Sequence, residues 1–387
     1  MQPVYLDHAA TTQMNSEVLE AMLPYYSNDF QNPSAGYRSG VKIRKKIEET
    51  RELIAECIHA EPDEIYFTSG GTESDNWILN SYAKKHIVTS TVEHHAILNT
   101  CHALERKGCK ITYLPVNHHG RVLLSDVKKA LKEPVNLISV MYANNEIGTI
   151  QPIQEIGKIA EKYRVPFHTD AVQACGHVPI DVKQLRISAM SASAHKFNGP
   201  KGIGFLYVKQ GMKIRPLLYG GGQEKGIRAG TENAAGIIGM GMALKIACDS
   251  MEQRRCREQY LRDYLIRRIV QEIPDVYING HMLYRLPNNV NVSFRFVNGS
   301  SLLVLLDSED ICVSSGSACN SAHEGPSHVI SALQVPEEYQ NGVIRMTLGA
   351  ENTIEELDRV VDILKNKIDE LRKESPEYED YLQKHFR

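Results

Sequence analysis

A chain of 387 residues that is 42% hydrophobic and 24% charged has the composition of a folded protein of two or three domains, which excludes a disordered one. Its 44 basic residues against 47 acidic ones leave a net charge of −3, which gives no reason to expect nucleic acid or an anionic membrane as a partner. No apolar run approaches the roughly 20 residues that span a bilayer, and Met1-Gln2-Pro3-Val4 opens without the basic region and apolar core of a signal peptide. A soluble, cytosolic protein is therefore expected.

Over the first two thirds, short apolar runs alternate with amphipathic stretches. Ile65 to Thr68 is predicted as a strand leading into a helix from Glu73 to Lys85, and Ile87 to Ser90 leads into a helix from His94 to Arg106. Ile111 to Val116 is followed by a helix from Ser125 to Leu131, with Ser125 as its N-cap. Leu137 to Ala143 leads into Ile153 to Arg164, and Phe167-His168-Thr169, Ser188 to Ser193 and Gly204 to Val208 complete the strands. This alternation predicts an α/β fold with a buried, mostly parallel sheet wrapped by helices.

The last third does not alternate regularly and predicts a smaller α+β domain. A helical stretch runs from about Thr231 to Glu272. Val290, Val292 and Phe294 then alternate with Asn291, Ser293 and Arg295 at the period of a half-solvated strand. Gly299 to Leu306 reads as helix and Val343 to Leu348 as strand. The last helix carries Ile354, Leu357, Val360, Val361, Leu364, Ile368 and Leu371 on one face. The tail from Ser375 to Arg387 shows no period. The 8 cysteines are scattered, with no C-x-x-C pair, and read as buried thiols in a reducing compartment. His94-His95 and His118-His119 lack matching Cys or carboxylate spacing, so no metal site is expected.

Four groups close successive predicted strands, where open α/β sheets bind ligands. Thr68-Ser69-Gly70-Gly71-Thr72-Glu73 could bring backbone amides and a helix N-terminus to a phosphate, or could simply be a turn. Asp170, in Thr169-Asp170-Ala171-Val172-Gln173, could bind a ligand or cap a helix. Lys196, in Ser193-Ala194-His195-Lys196, closes a buried strand among small residues, where a solvated charge is out of place. His94 opens a helix after Thr91-Val92-Glu93. Together they supply what pyridoxal phosphate (PLP) needs: a lysine for the Schiff base, an acid for the pyridine nitrogen, a flat side chain over the ring and a phosphate cradle.

The chain resembles the aminotransferase class V group of PLP enzymes, and within it the cysteine desulfurases, from Tyr5-Leu6-Asp7-His8-Ala9-Ala10-Thr11-Thr12 to about Arg372. The densest matches are Asn144-Asn145-Glu146-Ile147-Gly148, His168 to Gln173, Ser193 to Lys196, Arg228-Ala229-Gly230-Thr231-Glu232-Asn233 and Ser314-Ser315-Gly316-Ser317-Ala318-Cys319. The resemblance implies an aminotransferase-like large domain with a mostly parallel seven-stranded sheet over residues 15–255. Residues 1–14 and 256–387 would form the small domain that carries the catalytic Cys loop and Arg345. It further implies Lys196 as the Schiff-base lysine, Asp170 on the pyridine nitrogen, Gln173 on the phenolic oxygen and His94 stacked on the ring and moving protons. Gly71, Thr72, Ser193 and His195 would hold the phosphate, with Thr231 reaching it from the second subunit of a homodimer. Asn145 and Arg345 would orient the substrate, Arg345 by forking onto its α-carboxylate.

Cys319, in a Ser/Gly-rich stretch that packs poorly and is expected to be mobile from Gly316 to Gly325, is the residue that discriminates within the group. The implied reaction releases alanine from L-cysteine and leaves a persulfide on Cys319. That sulfur then passes to an iron–sulfur scaffold protein or a tRNA-thiolation enzyme. A selenocysteine lyase shares much of this site, an aminotransferase would not need Cys319, and a docking protein would not need Lys196, Asp170 and Cys319 together. Tyr37, Ser300-Ser301-Leu302-Leu303 and Ala350 depart from the common family pattern without touching an implied cofactor ligand.

Overall fold

The computed structural model describes residues 3–83, 85–315 and 325–385. Strand β1 (Val4–Tyr5) lies with the C-terminal third. The next strands are β2 (Ile65–Thr68), β3 (His86–Ser90), β4 (Lys110–Leu114), β5 (Leu137–Ser139), β6 (Phe167–Asp170), β7 (Ala189–Ser193) and β8 (Gly204–Val208). They form one seven-stranded sheet in the order β2-β8-β7-β6-β5-β3-β4. Every neighbouring pair is parallel except the two made by β8. Because β8 runs against both β7 and β2, the other six strands all point the same way. Their C-terminal ends, Thr68, Ser90, Asp170 and Ser193 among them, share one edge.

Successive strand residues go to opposite faces. Val88, Ile138, Met190 and Phe205 pack with Ile47, Ile54, Ile156 and Met240 from helices Arg38–Ile58, Ile153–Tyr163 and Ala234–Asp249. Their chain neighbours Ile87, Leu137, Ala189 and Leu206 pack with Trp77, Ile78, Ile97 and Leu104 from helices Gly71–Ser81 and His95–Glu105. Helices on both faces are why these strands read as continuous apolar runs. Each fully buried Ile or Leu here contributes about 1.5–3 kcal/mol over exposure, so the layers themselves hold the strand ends in register.

A second core lies around β9 (Val276–Ile278), β10 (Asn289–Phe294), β11 (Ile311–Cys312), β12 (Ser314–Ser315) and β13 (Val343–Thr347). Four of them form an antiparallel sheet in the order β12-β13-β10-β9, and β1 pairs in parallel with β11. Helix Ile354–Lys373 starts at a capping box. The Glu356 N–H donates to Thr353 Oγ1 at 3.2 Å, and the Thr353 N–H donates to the Glu356 carboxylate at 3.0 Å. That helix buries Leu357, Val360, Val361, Leu364 and Ile368, the stripe its sequence predicts. Among the described residues no single helix is long and apolar enough to cross a membrane.

Four local expectations are corrected. The stretch from Thr231 to Glu272 is two helices, Ala234–Asp249 and Met251–Glu272, bent by 71° at Ser250. There the Ser250 hydroxyl donates to the Ile246 carbonyl at 2.7 Å and so competes with the helix ladder. Ser125 lies inside helix Leu124–Ala130, whose cap position is Leu123 with no side-chain bond. Strand β10 is buried on both faces. Asn291 and Ser293 accept from Asn279 Nδ2 at 2.7 and 2.8 Å, and Asn291 also donates to the Glu146 carbonyl, so its polar face meets protein and not water. The tail forms helix Pro376–His385, because Tyr378 and Tyr381 pack their rings against Phe296 at 5.5 and 5.1 Å, a tertiary contact that no local period reports.

Candidate active site

The turn after β2 is shaped for close approach. Gly70 has φ 151°, a conformation that side chains rarely adopt, and a Cβ on it would lie 3.4 Å from Ser193 Oγ. A Cβ on Gly71 would stand 2.5 Å from a Val172 methyl. Both glycines therefore press the start of helix Gly71–Ser81 against the ends of β6 and β7. The first-turn amides of that helix have no helical carbonyl to bond, and its partial positive charge faces the same edge. Thr72 is exposed at its first turn.

Asp170 ends β6, beside Ser191 of β7, and is 6% exposed. One carboxylate oxygen accepts from the Val172 N–H at 2.9 Å. Burial pushes its pKa up, against the pull of His94 and Lys196. Behind it, Asp75 is also fully buried and is pushed up by burial and by Asp170. His168, held between Ser139 Oγ at 2.9 Å and Ser191 Oγ at 3.0 Å, is pushed by burial down to about 3 and stays neutral. Asp75 and Asp170 are thus two interacting buried carboxyl groups, and Lys196 and His94 act on Asp170 in turn.

His94 caps helix His95–Glu105, its Nδ1 accepting from the Ala96 N–H at 3.1 Å, so the ring proton sits on Nε2. Burial lowers its pKa, Asp170 raises it and Lys196 lowers it again, which puts the three side chains in one electrostatic neighbourhood. Lys196 follows β7 in a single 3-10 turn, Ala194–Lys196. Its Nζ donates to the Ala9 carbonyl and, at 2.8 Å, to the Ala10 carbonyl. Gln173 Nε2 donates to the same Ala9 carbonyl at 3.0 Å. His195, pushed by burial down to about 4, lies 3.2 Å from Thr11 Oγ1.

Arg345, in β13, ties the four-stranded antiparallel sheet to this edge. Its Nη1 donates to the Asn145 carbonyl at 3.0 Å, and its Nη2 donates to Asp7 Oδ1 at 2.6 Å. Asn145 and Arg345 are thus neighbours. The partner in hand is Asp7, a residue that sequence reasoning did not single out. Arg345 is also the β13 partner of Ser314, five positions before Cys319. Cys319 itself lies outside the described residues, as does the Gly316-to-Gly325 loop up to residue 324. Thr231 is exposed on the segment before helix Ala234–Asp249. No group of three or more His, Cys, Asp or Glu among the described residues could hold a metal ion.

Sequence reasoning missed Asp7, Asp75, His168 and the carbonyls of Ala9 and Ala10. Only the polar Tyr5-to-Thr12 run and a histidine inside a buried strand could have signalled them. The residues present fit PLP: a buried acid for the pyridine nitrogen, a lysine amine in the same electrostatic neighbourhood, and a glycine-opened helix for the phosphate.

Comparison with known proteins agrees. A relative from Dictyoglomus turgidum named cysteine desulfurase IscS is 53% identical over 379 residues, covering 96% of each chain. A solved NifS-like protein superposes with TM-score 0.90 at 36% identity, covering 95% of this chain and 100% of that one. SspA, solved in complex with cysteine, gives TM-score 0.80 at 35% identity, covering 90% of this chain and 100% of its own. The family model for aminotransferase class-V matches residues 4–360, and the chain belongs to that PLP-dependent family.

Proposed function

We infer that this protein is a PLP-dependent cysteine desulfurase, which converts L-cysteine to L-alanine and carries the sulfur as a persulfide on Cys319. The observation that carries the reading is the meeting of Asp170, His94 and Lys196 beside a glycine-opened helix, in a chain so close to relatives of that name. Bound PLP supplies an electron sink for the charge left on the substrate's α-carbon.

The chain's own residues divide the remaining work. Lys196 would hold the cofactor covalently, Asp170 would keep its ring nitrogen protonated and Gln173 would donate to its phenolic oxygen. Gly71, Thr72, Ser193 and His195 would take the phosphate, joined by Thr231 of the second subunit in a homodimer. His94, neutral with its proton on Nε2, would stack on the ring and could take or give a proton at the substrate. Asn145 and Arg345 orient the amino acid, and Arg345 takes its carboxylate. The Cys319 thiolate bonds to the substrate's sulfur as the carbon–sulfur bond breaks. That electron pair stays on carbon, where a proton completes alanine.

An acceptor thiolate of iron–sulfur assembly or tRNA thiolation then bonds to the outer sulfur as the S–S bond breaks, which returns Cys319 to its thiolate, in the cytoplasm. The test is direct: purified protein with PLP and L-cysteine should release alanine and gain one sulfur on Cys319, read by peptide mass spectrometry. A protein that makes no alanine, or that transfers an amino group to a keto acid instead, overturns the reading.

A further inference from the structure

The Arg345–Asp7 pair has a form that suits exchange. Asp7 holds the guanidinium by one oxygen at Nη2, and the Asn145 carbonyl takes Nη1. Arg345 Nε is buried and has no hydrogen-bond partner among the described residues. A carboxylate that forks across Nε and Nη2 therefore makes one more charge-assisted bond than Asp7 does. The Asp7 backbone is fixed without its side chain. Its carbonyl accepts from the Ala10 and Thr11 N–H groups, and the flanking residues Leu6 and His8 bond Thr347 in β13. Losing the ion pair would leave that segment in place. The Asp7 side chain is 20% exposed and that of Arg345 is 9% exposed, so water can take over the released carboxylate while the guanidinium still demands an anion.

Resting on the reading that Arg345 receives the amino acid's carboxylate, we propose that Asp7 sets the enzyme's affinity for its substrate and its product. Asp7 is an internal carboxylate that occupies Arg345 whenever no amino acid does. An incoming cysteine exchanges with it, and it reclaims Arg345 as alanine departs. It weakens the binding of both, because both carry the same carboxylate, and so favours turnover over retention of product.

The experiment is calorimetric titration of the PLP-loaded enzyme with L-alanine, together with the KM for L-cysteine. Asp7→Asn keeps the size of the side chain and removes its charge. It should bind alanine roughly 3- to 10-fold tighter and lower KM by a similar factor, with kcat unchanged or reduced. Asp7→Ala should bind alanine at least as tightly as Asp7→Asn. In an Arg345→Ala background the Asp7→Asn gain should vanish, which a general loosening of the fold would not produce. Unchanged or weaker alanine binding in both Asp7 variants overturns the proposal. If Arg345→Ala alone binds alanine as the unmutated enzyme does, the placement of the carboxylate on Arg345 fails instead, and Asp7 with it.

Discussion

Replacing Asp170 by Asn separates what this carboxylate does for the fold from what it does for the chemistry. The amide keeps an oxygen to accept from the Val172 N–H, now at 2.9 Å, and the β6–β7 register needs nothing from the side chain. In the proposed placement, the ring nitrogen of PLP would lose the buried Asp170 carboxylate that holds its proton. Removing one partner of a buried pair costs about 3–5 kcal/mol, which predicts alanine production slower by roughly 100- to 5,000-fold. In protein stripped of PLP the sign reverses. Asp170 and Asp75 both have raised pKa values, caused first by burial and, for Asp75, then by Asp170. The folded state therefore binds more protons than the unfolded one as pH rises above the ordinary carboxylate range, and stability falls with rising pH. Asp170→Asn removes one of the two charges that must be buried, so its melting temperature should drop less between about pH 5 and about pH 8 than that of the unmutated protein. The assays are alanine release with PLP and thermal unfolding of the stripped protein at the two pH values. Near-normal alanine release would refute the placement of the cofactor, and a steeper fall of stability with pH in the variant would refute the electrostatic argument.

Borohydride reduction of the PLP-loaded protein should label Lys196, and Lys196→Ala should make no alanine; peptide mapping that finds the label on another lysine sinks that assignment. Arg345→Lys keeps a charge for Asp7 but loses the planar fork. It should weaken L-cysteine binding while leaving the absorbance of lysine-bound PLP intact, and saturation by cysteine as in the unmutated enzyme would show that another cation holds the carboxylate. Cys319→Ser should bind PLP and L-cysteine yet release almost no alanine or sulfide. Brief exposure of the unmutated enzyme to L-cysteine should leave one extra sulfur on Cys319; finding it on Cys312 or Cys175 would overturn the proposed sulfur path.

The seven-stranded sheet was legible because helices cover both its faces, so each strand appears as an uninterrupted apolar run between turn residues. The residues at the strand ends were legible for the opposite reason: Asp170 and Lys196 are polar groups where apolar ones were due. Strand β10 misled, because Asn291 and Ser293 alternate with valines as solvent-facing residues do. Their partners are Asn279 and the Glu146 carbonyl, 14 and 145 residues away for the longest of these bonds, and no local window contains them. The same limit hid Asp7. Its meaning lies in Arg345, 338 residues along the chain, and in carbonyls at Ala9 and Ala10 that carry no side-chain signature. The C-terminal helix escaped notice because its order comes from Phe296 and not from its own pattern.

That long reach between Asp7 and Arg345 has a consequence for how the molecule is built during synthesis. Segment 4–12 supplies β1 and the carbonyls that meet Lys196 and Gln173, yet its further partners, Ile311, Arg345 and Thr347, emerge well after the large sheet. The large sheet can collect its helices as it leaves the ribosome, since its strands are close in sequence. The first dozen residues must wait, at the entropic disadvantage of closing a loop through nearly the whole polypeptide. That edge of the large sheet would thus stay open on one side until Ile311 and Arg345 have emerged. Ribosome-bound chains halted before residue 311 should show this segment cleavable by added protease, whereas released protein should shield it.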